Sequence, residues 1–116
     1  IIEDPVMIQM CMGIPWGAPD DLNTFMSMVN NTPENWTFSA FSIGQHQMSY
    51  VAAAMLAGGN LRVGLEDNLW LSRGKLATNA QLVEKAATIA TNMGATLMGP
   101  AEVREKMQLV KRAPRV

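Results

Sequence analysis

Three apolar segments of the chain, each followed by a segment of helical periodicity, define the predicted architecture. The predicted strands are 6–12, 36–43 and 61–66. The first of them is almost continuously apolar instead of alternating, which is typical of a strand that is buried on both faces. Strands that alternate with helices form a parallel sheet, because each helix returns the chain to the same end of the sheet.

The predicted helices have recognisable ends. Thr78 and Gln81 have the spacing of a capping box, in which each side chain accepts a hydrogen bond from the backbone of the other residue. Pro100 is a favourable first residue for the last helix. The four predicted helices span about 20–30, 45–57, 78–93 and 100–110.

These elements predict an α/β fold that is incomplete by itself. A three-stranded parallel sheet has two open edges and needs cover on both faces. The pattern corresponds to three βα units of an eight-stranded (β/α)₈ TIM barrel, followed by a C-terminal helix. The chain also begins with Ile1 and not with Met. We therefore expect residues 1–116 to be a single partial domain, the C-terminal section of a barrel, in which the basic segment 111–116 is a disordered tail.

Composition excludes several classes of protein. Nine Lys and Arg against ten Asp and Glu give a net charge of -1, which argues against binding to nucleic acid or to an anionic membrane. No apolar run approaches the ~20 residues of a transmembrane helix. The single cysteine, Cys11, cannot form an internal disulfide, which suits a reducing compartment, and we expect a cytoplasmic protein.

Candidate chemistry is concentrated at the end of the third predicted strand. Strand alternation places Arg62, Gly64 and Glu66 on one face, although a buried charge must be paired or must bind a ligand. Glu66, Asp67 and Asn68 follow at the carboxyl end, where barrel active sites lie. Neighbouring carboxylates suit a metal ligand and a general base. The alternative is structural: an ion pair of Arg62 with Glu66, and a capping role for Asp67.

Several segments of the chain resemble the β-keto acid cleavage enzymes, the family first described through 3-keto-5-aminohexanoate cleavage. The resemblance covers nearly all 116 residues. Its segments are 13–15, 41–47, 61–74, 77–80 and 100–104. It implies a (β/α)₈ barrel that binds divalent zinc, and an oligomeric transferase. The reaction it implies transfers CoA from acetyl-CoA to a β-keto acid and gives acetoacetate and a new acyl-CoA.

The resemblance also implies a role for each residue of the charged cluster. Glu66 corresponds to the zinc-binding carboxylate, and Asp67 to the base that deprotonates the substrate. Arg62 corresponds to the active-site arginine, whose planar guanidinium can bind a substrate carboxylate or support the base. Asn68, beside them, is a further candidate for substrate binding. No covalent nucleophile is needed for this chemistry.

The zinc site that the resemblance implies is incomplete in this chain. The family's other zinc ligands are a His-x-His pair on an early strand, and this sequence contains His46 alone. We therefore expect the remaining part of the barrel to supply the missing ligands, and the chain by itself to be inactive. His46 lies at a strand-to-helix junction, where it either binds substrate or makes a local hydrogen bond.

Two other functions stay open at this point. The chain is either a non-catalytic structural or interaction fragment of a barrel, or part of a zinc-dependent aldolase on the same fold. Trp70 follows the acidic pair and either packs beneath the last helix or contributes to a homo-oligomer contact, since aromatic residues are enriched at interfaces.

Overall fold

The computed structural model describes residues 2–110, which form an α/β fold around a three-stranded parallel sheet. Strand β1 is Met7–Met12, β2 is Thr37–Ser42 and β3 is Asn60–Leu61. Their order in the sheet follows their order in the chain, and both neighbouring pairs are parallel. The parallel sheet predicted from the alternation of strands and helices is confirmed.

Within residues 2–110, four α-helices accompany the sheet: α1 (Leu22–Asn30), α2 (Gln47–Leu56), α3 (Asn79–Asn92) and α4 (Pro100–Lys106). A short 3₁₀ turn, Gly44–His46, leads from β2 into α2. Each of the first two strands is followed by a helix, as the periodicity predicted.

The capping box predicted at the start of α3 is confirmed. The Gln81 backbone N–H donates to Thr78 Oγ1 at 3.2 Å, and the Thr78 N–H donates to Gln81 Oε1 at 2.9 Å. Helix α1 has a simpler cap, in which Asp21 Oδ1 accepts a hydrogen bond from the Thr24 N–H at 2.9 Å. These contacts satisfy backbone donors that lack partners in the first turn of a helix.

One face of the sheet packs against α1 and α2 and forms the hydrophobic core. Phe25 of α1 is fully buried there; its ring centroid lies 5.4 Å from that of Tyr50 in α2 and 6.4 Å from that of Phe38 in β2. The other buried residues of this cluster are Met10, Met12, Ala40 and Ala54.

The opposite face of the sheet carries both polar and apolar residues. Gln9 and Cys11 of β1 and Ser39 and Phe41 of β2 lie on it, because successive strand residues point to opposite faces. A groove of about 500 Å³ runs along this face, and its lining includes Gln9, Ser39 and Val83 of α3. The two faces of the sheet thus differ in kind: one is packed by helices, and the other leads to the charged residues that follow β3.

The third strand is shorter than predicted. The pattern predicted a strand over 61–66, but pairing with β2 ends at Leu61, and a turn follows. The backbone N–H groups of Asp67 and Asn68 donate to the carbonyl oxygen of Gly64, at 3.3 and 3.2 Å. This turn satisfies the backbone locally, so the alternation of faces predicted for 61–66 does not continue beyond the strand.

An antiparallel hairpin that the sequence pattern did not predict follows the turn. Its strands are β4, Trp70–Ser72, and β5, Lys75–Leu76. The Lys85 side chain of α3 donates to the carbonyl oxygen of Leu71 at 2.5 Å and joins the hairpin to that helix.

Two predictions concern the C-terminal part of the chain. Helix α4 begins at Pro100 as predicted but ends earlier, at Lys106; Gln108 then adopts a left-handed backbone conformation, with φ 51°. The predicted tail, 111–116, lies outside the described residues. Within the described part of the chain, none of the helices has both the length and the apolar character needed to cross a membrane.

Candidate active site

Three charged side chains meet where the chain leaves β3. Arg62 contacts both carboxylates that follow it: Nη2 lies 2.5 Å from Glu66 Oε2, and Nε lies 3.2 Å from Asp67 Oδ2. The Glu66 side chain is 80% exposed, whereas that of Asp67 is 8% exposed. The ion pair of the structural alternative is therefore present, but the enclosed Asp67 joins it.

The turn that positions these carboxylates is fixed by two side-chain amides, one buried and one exposed. Gln47 of α2, which is fully buried, donates from Nε2 to the carbonyl oxygen of Gly64 at 3.0 Å. Asn79, the first residue of α3, accepts the Leu65 N–H on its Oδ1 at 2.9 Å. The turn is thus attached to both α2 and α3, and this attachment places Glu66 and Asp67 beside Arg62.

Asp67 Oδ2 is buried and has no hydrogen-bond partner among the described residues. Its 3.2 Å contact with Arg62 Nε brings the charges together but lacks the direction of a hydrogen bond. A buried carboxylate oxygen without a donor is costly unless something else satisfies it. Among the described residues, this oxygen therefore keeps an unused position for a hydrogen-bond donor.

The aromatic ring of Phe41 supports the guanidinium from one side. Arg62 Cζ lies 4.5 Å from the ring centroid, and Phe41 is buried. Cys11 of β1 pairs with Phe41 in the sheet register. The pKa of its thiol is raised, mainly by burial and then by the charge of Asp67, while Arg62 lowers it. The cluster therefore affects one residue of β1, Cys11, and one residue of β2, Phe41.

Asn68, the predicted substrate contact, lies in the same turn with its side chain directed to the backbone of Trp70. Its Nδ2 donates to the Trp70 carbonyl oxygen at 2.8 Å, and its Oδ1 accepts the Trp70 N–H at 3.0 Å. Asn68 is buried and fixes the start of the hairpin. A direct role in substrate binding stays a prediction.

His46 belongs to a second network at the same end of the sheet, centred on Asp20. Asp20 Oδ2 lies 2.5 Å from His46 Nδ1 and accepts a hydrogen bond from Ser42 Oγ at 2.8 Å. The Tyr50 hydroxyl donates to the Asp20 carbonyl oxygen at 2.9 Å. The local hydrogen bond that was one alternative for His46 is therefore present, and the His46 side chain is still 50% exposed.

Both electrostatics and backbone conformation reflect the tight packing of this second network. Hydrogen bonds from His46 and then Ser42 lower the pKa of the Asp20 carboxyl below its usual 3.8. Burial, followed by the charge of Asp20, raises the pKa of Tyr50 to about 12. Gly13 has φ 75°, and a Cβ there would lie 2.8 Å from Ser42 Oγ, so the position requires glycine.

The two networks are connected through the backbone. The Gly44 N–H, two residues before His46, donates to the Asp67 carbonyl oxygen at 2.7 Å. The structure thus brings Arg62, Glu66 and Asp67 into direct contact and places His46 in a neighbouring but separate set of contacts.

The described residues do not form a complete metal site. Within residues 2–110, no group of three or more His, Cys, Asp or Glu side chains is placed to hold a metal ion. Glu66 offers an exposed carboxylate, but structural and catalytic zinc sites use at least three protein ligands. The donor set of this part of the chain therefore does not fit a zinc ion unless other residues complete it.

Sequence reasoning assigned no role to the supporting residues of these networks, among them Asp20, Phe41 and Gln47. Asp20 has the position of an ordinary residue before a helix, and Phe41 that of one more apolar residue in a buried strand. One signal was available for Phe41, since the predicted alternation of the second strand places it on the same face as Ser39, a polar residue.

Comparisons with known proteins indicate one family over almost the whole chain. The sequence model of the β-keto acid cleavage enzymes matches residues 1–109. The chain is 71% identical over 112 residues to a 3-dehydrocarnitine:acetyl-CoA trimethylamine transferase of Rhizobium meliloti (strain 1021), a match that covers 97% of this chain and 37% of that protein.

Two more distant relatives have related names. A 3-keto-5-aminohexanoate cleavage enzyme of Fusobacterium nucleatum is 33% identical, over 95% of this chain and 40% of the relative. A 3,5-dioxohexanoate:acetyl-CoA acetone transferase of Paraburkholderia graminis is 30% identical, over 94% of this chain and 37% of the relative. The chain therefore spans about two fifths of the length of these relatives.

Proposed function

The chain belongs to the β-keto acid cleavage enzyme family, and on that premise we propose that its protein cleaves a β-keto acid with acetyl-CoA, giving acetoacetate and a new acyl-CoA. The observation that carries the proposal is the contact of Arg62 with both Glu66 and Asp67, inside the segment that the family model matches. A surface ion pair alone does not account for a second, enclosed carboxylate.

The proposed role of Asp67 is general base. The carbon between the two carbonyl groups of a β-keto acid is acidic because the resulting carbanion is delocalised as an enolate. Asp67 Oδ2, which is buried and has no hydrogen-bond donor within residues 2–110, accepts this proton. The enolate then attacks the thioester carbonyl of acetyl-CoA and expels CoA as its thiolate. The thiolate attacks the keto carbonyl, and cleavage of the adjacent carbon–carbon bond gives the new acyl-CoA and the acetoacetate carbanion, which takes the proton back from Asp67.

The proposed role of Arg62 is to bind two negatively charged groups near the reacting carbon, the Asp67 carboxylate and a carboxylate of the substrate. Its guanidinium keeps the Asp67 carboxylate in place and is suited to bind a substrate carboxylate, because its planar donors match that geometry. At 34% exposure, the Arg62 side chain remains accessible to a ligand. Asn68 and His46 are proposed as secondary contacts to substrate.

We propose Glu66 as one ligand of a zinc ion whose other ligands lie outside the described residues. Glu66 is the more exposed of the two carboxylates, and a hard carboxylate oxygen is a suitable zinc ligand. Zinc would supply a Lewis acid for the keto oxygen. We likewise propose that the three strands and their helices are the C-terminal section of a (β/α)₈ barrel, within one domain that the remaining part of the barrel completes.

The first substrate to test is 3-dehydrocarnitine, by analogy with the relative of 71% identity. The purified protein is incubated with 3-dehydrocarnitine and acetyl-CoA, and acetoacetate and the new acyl-CoA are measured together. Equal amounts of both products are expected. The control omits acetyl-CoA: a zinc-dependent aldolase would still release a carbonyl product, and a non-catalytic fragment would give no product in either reaction.

The location and assembly of the protein are further proposals. The unpaired cysteine and balanced charge favour a cytoplasmic protein that binds neither nucleic acid nor membrane. Leu69 and Trp70 are both about half exposed beside the site, at 56% and 48%. Exposed apolar residues of this kind favour a homo-oligomer contact near the active site.

A further inference from the structure

We propose that Phe41 is a positioning residue for the reaction, whose ring holds the Arg62 guanidinium in the plane from which it contacts Asp67 and Glu66. This inference rests on the proposed function, since the value of a fixed guanidinium lies in the base and the carboxylate that it orients. The Phe41 ring has no group that could bind a carboxylate by charge or by a conventional hydrogen bond, so it acts through Arg62.

The sheet register places the two residues together. The last paired positions of β2 and β3 are Ala40 and Leu61, so the next residues, Phe41 and Arg62, are neighbours just beyond the paired part of β3. Phe41 is 4% exposed. Its ring is therefore a rigid surface at the point where β3 ends and the backbone of Arg62 is no longer held by strand pairing.

The geometry divides the guanidinium between two kinds of contact. Its central carbon, Cζ, lies over the Phe41 ring, 4.5 Å from the centroid. Its edge carries Nε to Asp67 Oδ2 at 3.2 Å and Nη2 to Glu66 Oε2 at 2.5 Å. A planar cation on an aromatic face is held by the quadrupole of the ring. When the orientation of the guanidinium is fixed in this way, Nε and Nη2 can contact Asp67 and Glu66 at the same time.

A purely structural role would make Phe41 a buried apolar residue whose loss weakens packing. The two accounts differ in what they require of the ring. Packing requires its volume, whereas cation–π contact requires the negative potential of its face. Fluorination of the ring reduces that potential stepwise with little change in volume, so it separates the two.

The experiment replaces Phe41 by phenylalanines with one, two and three ring fluorines in the complete protein. The readouts are kcat for cleavage and the rate of exchange of the α-proton of the β-keto acid with deuterium in the absence of acetyl-CoA. Both rates should fall stepwise, by about 3- to 30-fold in total, which corresponds to the range of cation–π stabilisation. The melting temperature should change little.

Phe38 provides a matched control. It lies on the same strand, is also buried at 8% exposure, and faces the core instead of Arg62. The same fluorinated series at Phe38 should leave both rates unchanged. Equal rates across the Phe41 series, or an equal fall in the Phe38 series, would overturn the proposal, because neither result depends on contact with the guanidinium.

A measurement that does not need activity separates this proposal from the proposed function. The Arg62 Nε–H proton should show an upfield ring-current shift in the NMR spectrum, which Phe41→Leu removes and Phe41→Tyr retains. An unshifted signal in the wild-type protein overturns the placement of Arg62 on Phe41. Absence of both cleavage and exchange in a wild-type protein with the shifted signal overturns the proposed function and, with it, the role of Phe41 in that reaction.

Discussion

Asp67 and Glu66 are consecutive residues that share Arg62 as a partner, yet one is enclosed and the other is open to solvent. The turn after Gly64 produces this difference, because it directs Asp67 toward the sheet and Glu66 away from it. A residue that binds a metal ion must be accessible to the ion and to the other residues that coordinate it, and a general base benefits from the exclusion of water. The two environments match the two proposed roles.

Asp67→Asn tests the base. The substitution keeps the size of the side chain and removes the proton acceptor. Turnover and α-proton exchange should both fall by about 10²–10⁴-fold, the typical contribution of a positioned general base. Asp21→Asn is the control, because Asp21 is a helix cap away from the cluster and Asn caps equally well. Exchange at the wild-type rate in Asp67→Asn would show that another group removes the proton.

Glu66→Gln tests the zinc ligand. The amide keeps one oxygen but loses the charge that binds a divalent cation, so the zinc content of the purified complete protein should fall strongly. Glu84→Gln, an exposed change on α3, should keep full zinc content. Metal analysis by mass spectrometry measures both. Unchanged zinc content and affinity in Glu66→Gln would remove Glu66 from the ligand set.

At the scale of single residues, the charged part of the site could be predicted and its support could not. Arg62, Glu66 and Asp67 stand out because charges interrupt an apolar segment. Phe41 and Gln47 do not stand out, because their importance depends on which atoms of the turn they meet in three dimensions. A buried phenylalanine beside an arginine has no distinct one-dimensional pattern.

At the scale of elements, the second network, which is centred on Asp20, links the loops that follow the three strands. Asp20 precedes α1, Ser42 ends β2, and His46 lies in the 3₁₀ turn before α2. The Gly44 N–H then reaches Asp67. The βα loops therefore form a connected layer at the carboxyl end of the sheet, and stability of this layer contributes to the geometry of the charged cluster.

The variant Asp20→Asn tests how far the stability of this layer of loops depends on the negative charge of Asp20. The pKa of Asp20 is lower in the folded protein than its usual 3.8. A lowered pKa means that the contribution of Asp20 to stability is complete above about pH 4 and is lost as the pH falls through the folded value. Near pH 6, we expect the variant to be less stable by about 1–2 kcal/mol, which is the scale of a hydrogen bond to a charged group reduced by the partial solvent exposure of Asp20.

Urea denaturation of the complete protein between pH 3 and 6 measures this effect. The difference between wild type and Asp20→Asn should shrink toward zero at the acid end, whereas Glu84→Gln should follow the wild type throughout. A difference that stays constant across this range would show that the network does not depend on the Asp20 charge.

The elements themselves were predicted where periodicity and end signals agree. β1, β2 and the start of α3 lie within a residue or two of the prediction. The apolar pattern of 61–66 also fits a strand, but the bonds of Gln47 and the neighbouring backbone to Gly64 favour a turn. The hairpin at Trp70–Ser72 and Lys75–Leu76 is too short for a periodic signal.

At the scale of the whole molecule, the chain exposes more surface than a globular protein of its mass. Its accessible surface is 8414 Å², against about 6,200 Å² expected at 12.7 kDa. Its radius of gyration is 15.3 Å, against about 13.4 Å expected. In the described residues, β1 and β3 each have one unpaired edge. The large accessible surface and the unpaired strand edges indicate that additional polypeptide packs against this sheet.

The last prediction is that residues 1–116, produced alone, are not an independently stable and active enzyme. Unpaired strand edges promote association, and Trp16 and Leu56 are 97% and 82% exposed. We expect aggregation, or a non-cooperative loss of structure in urea, and no acetoacetate from 3-dehydrocarnitine and acetyl-CoA. The complete protein is the control and should unfold cooperatively. The contrary result is a monomer of the isolated chain that unfolds in one transition, with an m-value of about 1–3 kcal/mol/M, and that releases acetoacetate. Cooperative unfolding of the monomer would show that these three strands need no partner. Release of acetoacetate would show that zinc ligands from outside the described residues are unnecessary.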